Sequence, residues 1–292
     1  MTWLIIVILA HLFYALVFII DKYILSRPLP HPIVYSFYVG ILSILILVLI
    51  PFGFYFPSFK EIVLVVLAGI AQVAGWIYFY KALNMGEVSR IVPFVGAFIG
   101  IFTLILSIFL IGEVLTLKQV LAIIFLISGS LVISVKKEVF GKAFRLALLG
   151  ALFFAVFWVI TKYIFLDTSF ISGLIWIRTG VALIALCLLI PRKNRQLIFQ
   201  KTEQLKSRTI KFFISGRALS ILSSFGIYLA VFLGSVSLVN SLQGIQYVFV
   251  LILAFILFKK IPKAREQFTS EIITQKIIAI ILIALGLAVL VL

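Results

Sequence analysis

The chain has 292 residues, of which 64% are hydrophobic and only 12% are charged. A soluble domain carries about twice that share of charge, so the composition excludes a soluble domain of useful size. The single cysteine, Cys187, excludes an internal disulfide, and two histidines with one cysteine do not supply a usual metal site, so no cofactor or metal is expected. The net charge of +16 would suit nucleic acid, but in so apolar a chain basic loops beside an anionic membrane surface explain it better.

Apolar stretches of about 20 residues recur along the chain, and each is long enough to cross about 30 Å of hydrocarbon as a helix. They predict ten membrane-spanning helices. The predicted ranges are Thr2–Ile20, Ile33–Ile50, Ile62–Leu83, Ile91–Ile111, Gln119–Val135, Leu146–Leu166, Phe170–Ile190, Phe212–Leu233, Val239–Phe258 and Ile272–Leu292. The first stretch lacks a basic leader and a small-residue cleavage site, so we interpret it as a permanent span rather than a signal peptide.

The second half of the chain repeats the first. Phe13–Leu25 returns 140 positions later as Phe153–Phe165, and Tyr80–Ser89 returns as Tyr228–Ser237. We therefore predict two five-helix domains, residues 1–138 and 139–292. Because five is an odd number, the second copy starts on the opposite side of the membrane. The predicted fold is an all-α membrane protein whose ten helices form two inverted repeats, an architecture typical of secondary carriers.

The basic residues give a predicted orientation. With both termini outside the cell membrane, the inner connections hold 20 Lys and Arg residues, whereas the outer connections hold only Lys60 and Lys118. Cytoplasmic loops carry an excess of Lys and Arg, so this asymmetry predicts a multi-pass protein of the cell membrane with both termini outside.

Several local patterns resemble the EamA family of the drug/metabolite transporter superfamily. They are ALNMGEVSRIVPF (Ala82–Phe94), LSIFLIGEVLTLKQVLAIIFLISGSLVI (Leu106–Ile133), the aromatic–small pairs Tyr14-Ala15 and Phe154-Ala155, and Arg178 early in the seventh helix. The resemblance covers nearly the whole chain in two copies. It implies a ten-helix secondary carrier with a central cavity lined mainly by the first, third, fourth, sixth, eighth and ninth helices.

Polar side chains inside the spans are the first candidates for a binding site, because such groups are costly in hydrocarbon. His11 is either a proton-coupling group or a neutral packing residue. Arg178 either attracts an anionic substrate group or extends its side chain to the interface. Asn240, Gln243 and Tyr247 share one face of the ninth helix and either line the cavity or form interhelical hydrogen bonds.

Aromatic side chains form a second group of candidates. Trp76 and Tyr80 share a stripe with Gln72 on the third helix, and we expect Trp158 and Tyr228 to extend this aromatic lining. With Tyr14, these residues either stack against flat or cationic solutes or pack as ordinary interfacial aromatics. Gly96, Gly100, Gly129 and Gly286 are interpreted as helix-packing sites, and Glu113 as a local hydrogen-bonding residue of the turn into the fifth helix.

These features predict a secondary transporter of small organic metabolites, most simply an exporter of amino acids or related compounds that works by alternating access. No Walker A motif is present, so ATP-driven transport by this chain is not expected. The alternatives are a flippase for a lipid or lipid-linked sugar and, in a different class, an intramembrane lipid-modifying enzyme, although no enzymatic activity is expected. The expected partners are a small-molecule substrate and membrane lipid, without nucleic acid, for a monomer or homodimer.

Overall fold

A computed structural model describes residues 2–24, 31–86, 88–134, 141–200, 207–257 and 270–292. Within these ranges every regular element is a helix. The helices are α1 (Thr2–Ile24), α2 (Pro32–Ile41) with its 3₁₀ continuation Leu42–Phe52, α3 (Phe59–Leu83), α4 (Val88–Ile111), α5 (Leu117–Ser134), α6 (Lys142–Asp167), α7 (Phe170–Cys187), α8 (Arg192–Ile198), α9 (Ser207–Leu233), α10 (Val236–Ser241), α11 (Gly244–Leu257) and α12 (Ser270–Val291).

Seven of the described helices are long and apolar enough to cross a membrane. They are Pro32–Phe52, Phe59–Leu83, Arg90–Ile111, Leu117–Ser134, Lys142–Asp167, Phe170–Cys187 and Thr274–Val291. Two shorter apolar helices, Thr2–Val17 and Ala218–Leu233, accompany them. The helical class is as predicted, whereas the count of ten spans stays a prediction.

Side-chain caps fix the starts of several helices. Before α3, Ser58 Oγ accepts from the Glu61 amide at 3.3 Å, and the Glu61 carboxylate accepts from the Ser58 amide at 2.5 Å. Thr116 and Gln119 make the same reciprocal pair at the start of α5. Such capping boxes satisfy amide donors that have no partner within the helix, so the helices begin where these residues lie.

The predicted ninth helix is interrupted. Helix α10 ends at Ser241 and α11 begins at Gly244, and between them the Gln243 amide bonds to the Asn240 carbonyl, three residues back, at 3.3 Å. The polar side chains explain the break: Asn240 Nδ2 donates to the Val236 carbonyl at 3.0 Å and Ser241 Oγ to the Ser237 carbonyl at 2.7 Å. Such bonds compete with the regular backbone pattern of a helix.

The first helix of each copy packs on the third and fourth helices of the other copy. Helix α1 packs on α9 as α6 packs on α3, and α1 packs on α11 as α6 packs on α4. The agreement extends to single residues. A Cβ added at Gly234 would meet the Trp3 ring at 2.8 Å, and one added at Gly86 would meet Ala143, 140 positions after Trp3, at 3.3 Å. The repeat read from the sequence is thus also a repeat of contacts.

Helices α5 and α12 pack directly on each other through the two glycines predicted to serve packing. A Cβ at Gly129 would lie 2.6 Å from the Ile283 side chain, and one at Gly286 would lie 2.8 Å from Leu126. The missing side chains therefore let the two backbones approach closely within this chain.

Candidate functional site

Three predicted site residues meet between helices α6, α7 and α9. The rings of Trp158 and Tyr228 lie 5.1 Å apart between centroids, and the Arg178 guanidinium carbon lies 6.0 Å from the centre of the Tyr228 ring. We call Trp158, Arg178 and Tyr228 the Arg178 cluster. Tyr228 is 4% exposed and Arg178 is half-buried. A guanidinium over an aromatic face is a favourable cation–π arrangement, stronger where water is excluded.

Arg178 lies at the middle of α7, the ninth residue of 18. Its Cα is therefore about 12 Å along the axis from either end of the helix. The side chain contacts Tyr228 there. Among the described residues, no Asp or Glu forms an ion pair with Arg178. The arrangement leaves a cation near the middle of α7 with an aromatic neighbour and no ion-pair partner in the described ranges.

Buried polar side chains that have no hydrogen-bond partner among the described residues occur close in sequence to this cluster and to Trp76. They are Gln72 through its Oε1, Thr161 and Thr179. Helices α3 and α7 cross near these positions, since a Cβ at Gly69 would lie 2.7 Å from the Gly180 carbonyl oxygen. Native proteins rarely leave buried polar atoms unpaired, so such atoms are places where a bound solute or water would gain hydrogen bonds. Sequence reasoning missed Thr161 and Thr179 because single threonines in apolar helices carry no pattern.

Trp76 and Tyr80 lie on α3 beside this region. Trp76 is half-buried against the cores on either side of α3, and the Tyr80 ring lies 4.1 Å from that of Tyr35, between centroids. Tyr35 belongs to α2 and was not predicted as a site residue. Tyr14, on α1, shares a 2.6 Å hydrogen bond with Ser224 of α9.

The polar stripe of the predicted ninth helix divides between two environments. Tyr247 donates to the Val92 carbonyl of α4 at 2.7 Å, and a Cβ at Gly96 would come within 3.2 Å of Gln243. Asn240 bonds within its own helix α10. Tyr247 thus makes the interhelical hydrogen bond that was one of the two alternatives, while a substrate role for these three residues stays a prediction.

His11 is buried between helices α1 and α11. Among the described residues, neither ring nitrogen has a hydrogen-bond partner of ordinary geometry. Its predicted role in coupling is not tested by this arrangement.

A second polar cluster lies within the second copy, one helical turn after Trp158 on α6. Lys162 Nζ donates to the carbonyls of Val231, Phe232 and Gly234 at 3.0, 3.2 and 2.8 Å, which caps the C-terminus of α9. No role for Lys162 was predicted from the sequence, although a lysine within an apolar span is itself a signal.

Glu113 joins the copies near Lys162. Its Oε2 accepts a hydrogen bond from Ser237 Oγ, which lies 2.7 Å from Ser107 Oγ. The expected local role of Glu113 is therefore corrected: its carboxylate reaches the second copy, because the first turn of α5 is already capped by Thr116 and Gln119.

A cavity of about 420 Å³ lies where α3 ends and α4 and α6 begin. It is lined by Asn84, Met85, Gly86, Arg90, Gly141, Ala143 and Phe144. None of the ten predicted binding residues lines it. The described residues thus form a cavity at the end of the helix bundle, and the Arg178 cluster lies apart from it, within the bundle.

Comparison with known proteins shows which family and which solved structures this chain resembles. Residues 1–135 match the EamA-like transporter family, which confirms the resemblance seen in the motifs. The matched family is part of the drug/metabolite transporter superfamily, and the match covers the first copy. Together with the apolar helices, this match indicates a multi-pass membrane protein and suggests a transporter of small substrates.

Solved structures extend the fold comparison to both copies. Among 27 matching chains is a crystal structure of a protein with 16% sequence identity and a TM-score of 0.68. The match covers 99% of this chain and 97% of that chain. The likeness shows a shared fold over the full length. No protein of curated function matches the chain.

Proposed function

We propose that the protein is a ten-helix secondary carrier that exports amino acids or related small metabolites by alternating access. Its two inverted copies are residues 1–138 and 139–292, and its substrate site is the Arg178 cluster with Trp76 and the unpaired polar groups beside it. The observation that carries the proposal is a guanidinium at the middle of a span that faces a tyrosine ring and no described carboxylate. Transmembrane charges of this kind mark substrate pathways.

The chemistry of the cluster suits a solute with a carboxylate and an apolar body. A guanidinium pairs with a carboxylate through two parallel hydrogen bonds, which fixes the orientation of the solute. Trp158 and Tyr228 offer ring faces to its apolar part, and Thr161 and Thr179 offer hydroxyl groups that have no partner in the part of the chain that the structure describes. An amino acid or a related metabolite carries the required carboxylate.

In the proposed transport cycle, the two ends of the helix bundle open in turn. The bond between Ser237 and Glu113 ties the α4–α5 connection to the α9–α10 connection at the predicted outer side. The 420 Å³ cavity lies at the connections predicted to be inside. This arrangement supports a state open toward the cytoplasm, and outward opening would separate Ser237 from Glu113 as the copies exchange conformations.

Substrate counterflow in reconstituted liposomes tests the proposal. Vesicles loaded with a mixture of unlabelled amino acids should take up a labelled member of the mixture when they contain the protein. Arg178→Gln should reduce the initial rate at least tenfold, since it removes a charge-assisted pair in a low-dielectric site. Arg145→Gln, which removes a charge from an exposed arginine of α6, is the matched control and should transport normally.

The same preparation distinguishes the rival functions. Transport of labelled phospholipid between leaflets without amino-acid counterflow would replace the proposal by a flippase. Equal loss of counterflow in the Arg178 and Arg145 variants would remove Arg178 from the substrate site.

A further inference from the structure

Helix α8 has two different faces. Asn194, Leu197 and Ile198 are partly or fully buried against the bundle, whereas Arg192, Lys193, Arg195 and Gln196 are exposed. Two large apolar side chains flank the exposed basic face. Ile190 is 76% exposed before α8, and Phe199 is 65% exposed after it. Basic residues beside exposed apolar groups are typical of a helix that lies in the membrane interface.

Contacts with α2 hold this short helix in place. Ile198 is 2% exposed, and its carbonyl accepts a hydrogen bond from the Tyr38 hydroxyl at 3.1 Å. The rings of Phe37 and Phe199 lie 6.5 Å apart, edge to face. With seven residues α8 is about 10 Å long, too short to span the membrane. It follows α7 directly, at the end where the chain leaves the hydrocarbon.

The repeat shows that the fold does not require this basic face. The positions 140 residues before Arg192, Lys193 and Arg195 are occupied by Phe52, Gly53 and Tyr55. That earlier connection is bound to α7 instead, since the Tyr55 carbonyl accepts from Trp176 Nε1 at 2.9 Å. The cations are thus particular to the second copy and to one side of the bundle.

We propose that α8 is a binding surface for anionic phospholipid headgroups. Arg192, Lys193 and Arg195 contact the lipid phosphates, while Ile190 and Phe199 enter the boundary between headgroups and acyl chains. Positive charge beside an anionic leaflet is attracted electrostatically, and the apolar anchors add buried area. The inference concerns a surface away from the Arg178 cluster and holds whether or not amino acids are the transported solute.

Quenching by labelled lipid tests the inference on the full-length protein. A fluorophore on Gln196→Cys, in a Cys187→Ala background, is placed in phosphatidylcholine nanodiscs that contain spin-labelled phosphatidylglycerol or spin-labelled phosphatidylcholine. The phosphatidylglycerol should quench preferentially. Arg192→Gln with Arg195→Gln should lower that preference by about tenfold, since each basic residue near an anionic surface contributes several-fold. Lys142→Gln with Arg145→Gln removes two exposed charges elsewhere and should leave it unchanged.

Three results would overturn the proposal. One is equal quenching by the two lipids in the unmodified protein. Another is a preference for phosphatidylglycerol that persists in the Arg192→Gln, Arg195→Gln variant, or that falls equally in the Lys142→Gln, Arg145→Gln control. The third is full competition by millimolar inorganic phosphate, which would identify a simple anion site. Size-exclusion chromatography of each variant confirms that the protein remains folded.

Discussion

At the scale of single residues, Lys162 shows how the fold accommodates a charge within an apolar helix. A lysine in a span is costly unless its ammonium group finds partners. Its three carbonyl partners are groups at the end of α9 that have no partner within that helix. The negative end of the helix dipole also favours a cation there. The contact thus provides partners both for the Lys162 ammonium group and for the carbonyls at the end of α9.

We expect Lys162→Met to destabilise the protein. The variant keeps the apolar stem but leaves the carbonyls of Val231, Phe232 and Gly234 without a donor, so the free energy of unfolding should fall by about 1–3 kcal/mol. Thermal unfolding in detergent measures the effect. Lys60→Met is the control, because Lys60 is exposed and its 3.5 Å pair with Asp167 lies at the surface. Equal melting temperatures for the two variants would show that the cap contributes nothing.

Tyr228 separates a binding role from a packing role in the Arg178 cluster. Tyr228→Phe keeps the ring beneath the guanidinium and should transport nearly normally. Tyr228→Ala removes the ring, and a cation–π contact of about 0.5–2 kcal/mol corresponds to a rise in KM of about two- to thirtyfold. The KM and kcat of counterflow measure this. A large loss of thermal stability with unchanged KM in the remaining folded protein would identify Tyr228 as a packing residue.

At the scale of helices, apolar length and the repeat predicted most elements and their order. The break between α10 and α11 was not predicted, because Asn240 and Ser241 fit a helical stripe as well as they fit a break. Only their side-chain bonds to the α10 carbonyls decide between the two. Helix α8 was also missed, since seven residues are too few for a periodic pattern. The contacts of Arg178 with Tyr228 and of Glu113 with Ser237 were likewise not predicted, because they join residues far apart in the sequence.

The α5–α12 contact gives a prediction at this scale. Gly286→Val should destabilise the pair, because a Cβ at Gly286 already meets Leu126 at 2.8 Å and the Ala122 carbonyl at 3.0 Å. Overpacking of this kind costs about 1–3 kcal/mol, which a thermal melt detects. Gly141→Ala is the control, since its Cβ would meet nothing within 4 Å. A Gly286 variant as stable as the control would show that this contact tolerates separation of the helices.

At the scale of the whole molecule, the packing of the helices follows the sequence repeat, although the pairing between the copies was not itself predicted. Equivalent sequences bury equivalent faces, as the contacts of Gly86 and Gly234 show. The predicted site residues do not all lie together. Trp158, Arg178 and Tyr228 come together, whereas His11 and Tyr247 lie in other contacts. A polar residue in a span is a candidate for a functional role, but the sequence does not predict which residues it contacts.

The inversion of the two copies is the central feature of the proposed carrier, and one pair of equivalent positions tests it. Phe56 and Gln196 are 140 residues apart, the offset of the repeat, and both side chains are exposed. In a Cys187→Ala background, we predict that Phe56→Cys reacts with a membrane-impermeant maleimide in intact cells. Gln196→Cys should react only after the membrane is permeabilised. Labelling of both cysteines from the same side of the membrane would contradict the inverted repeat.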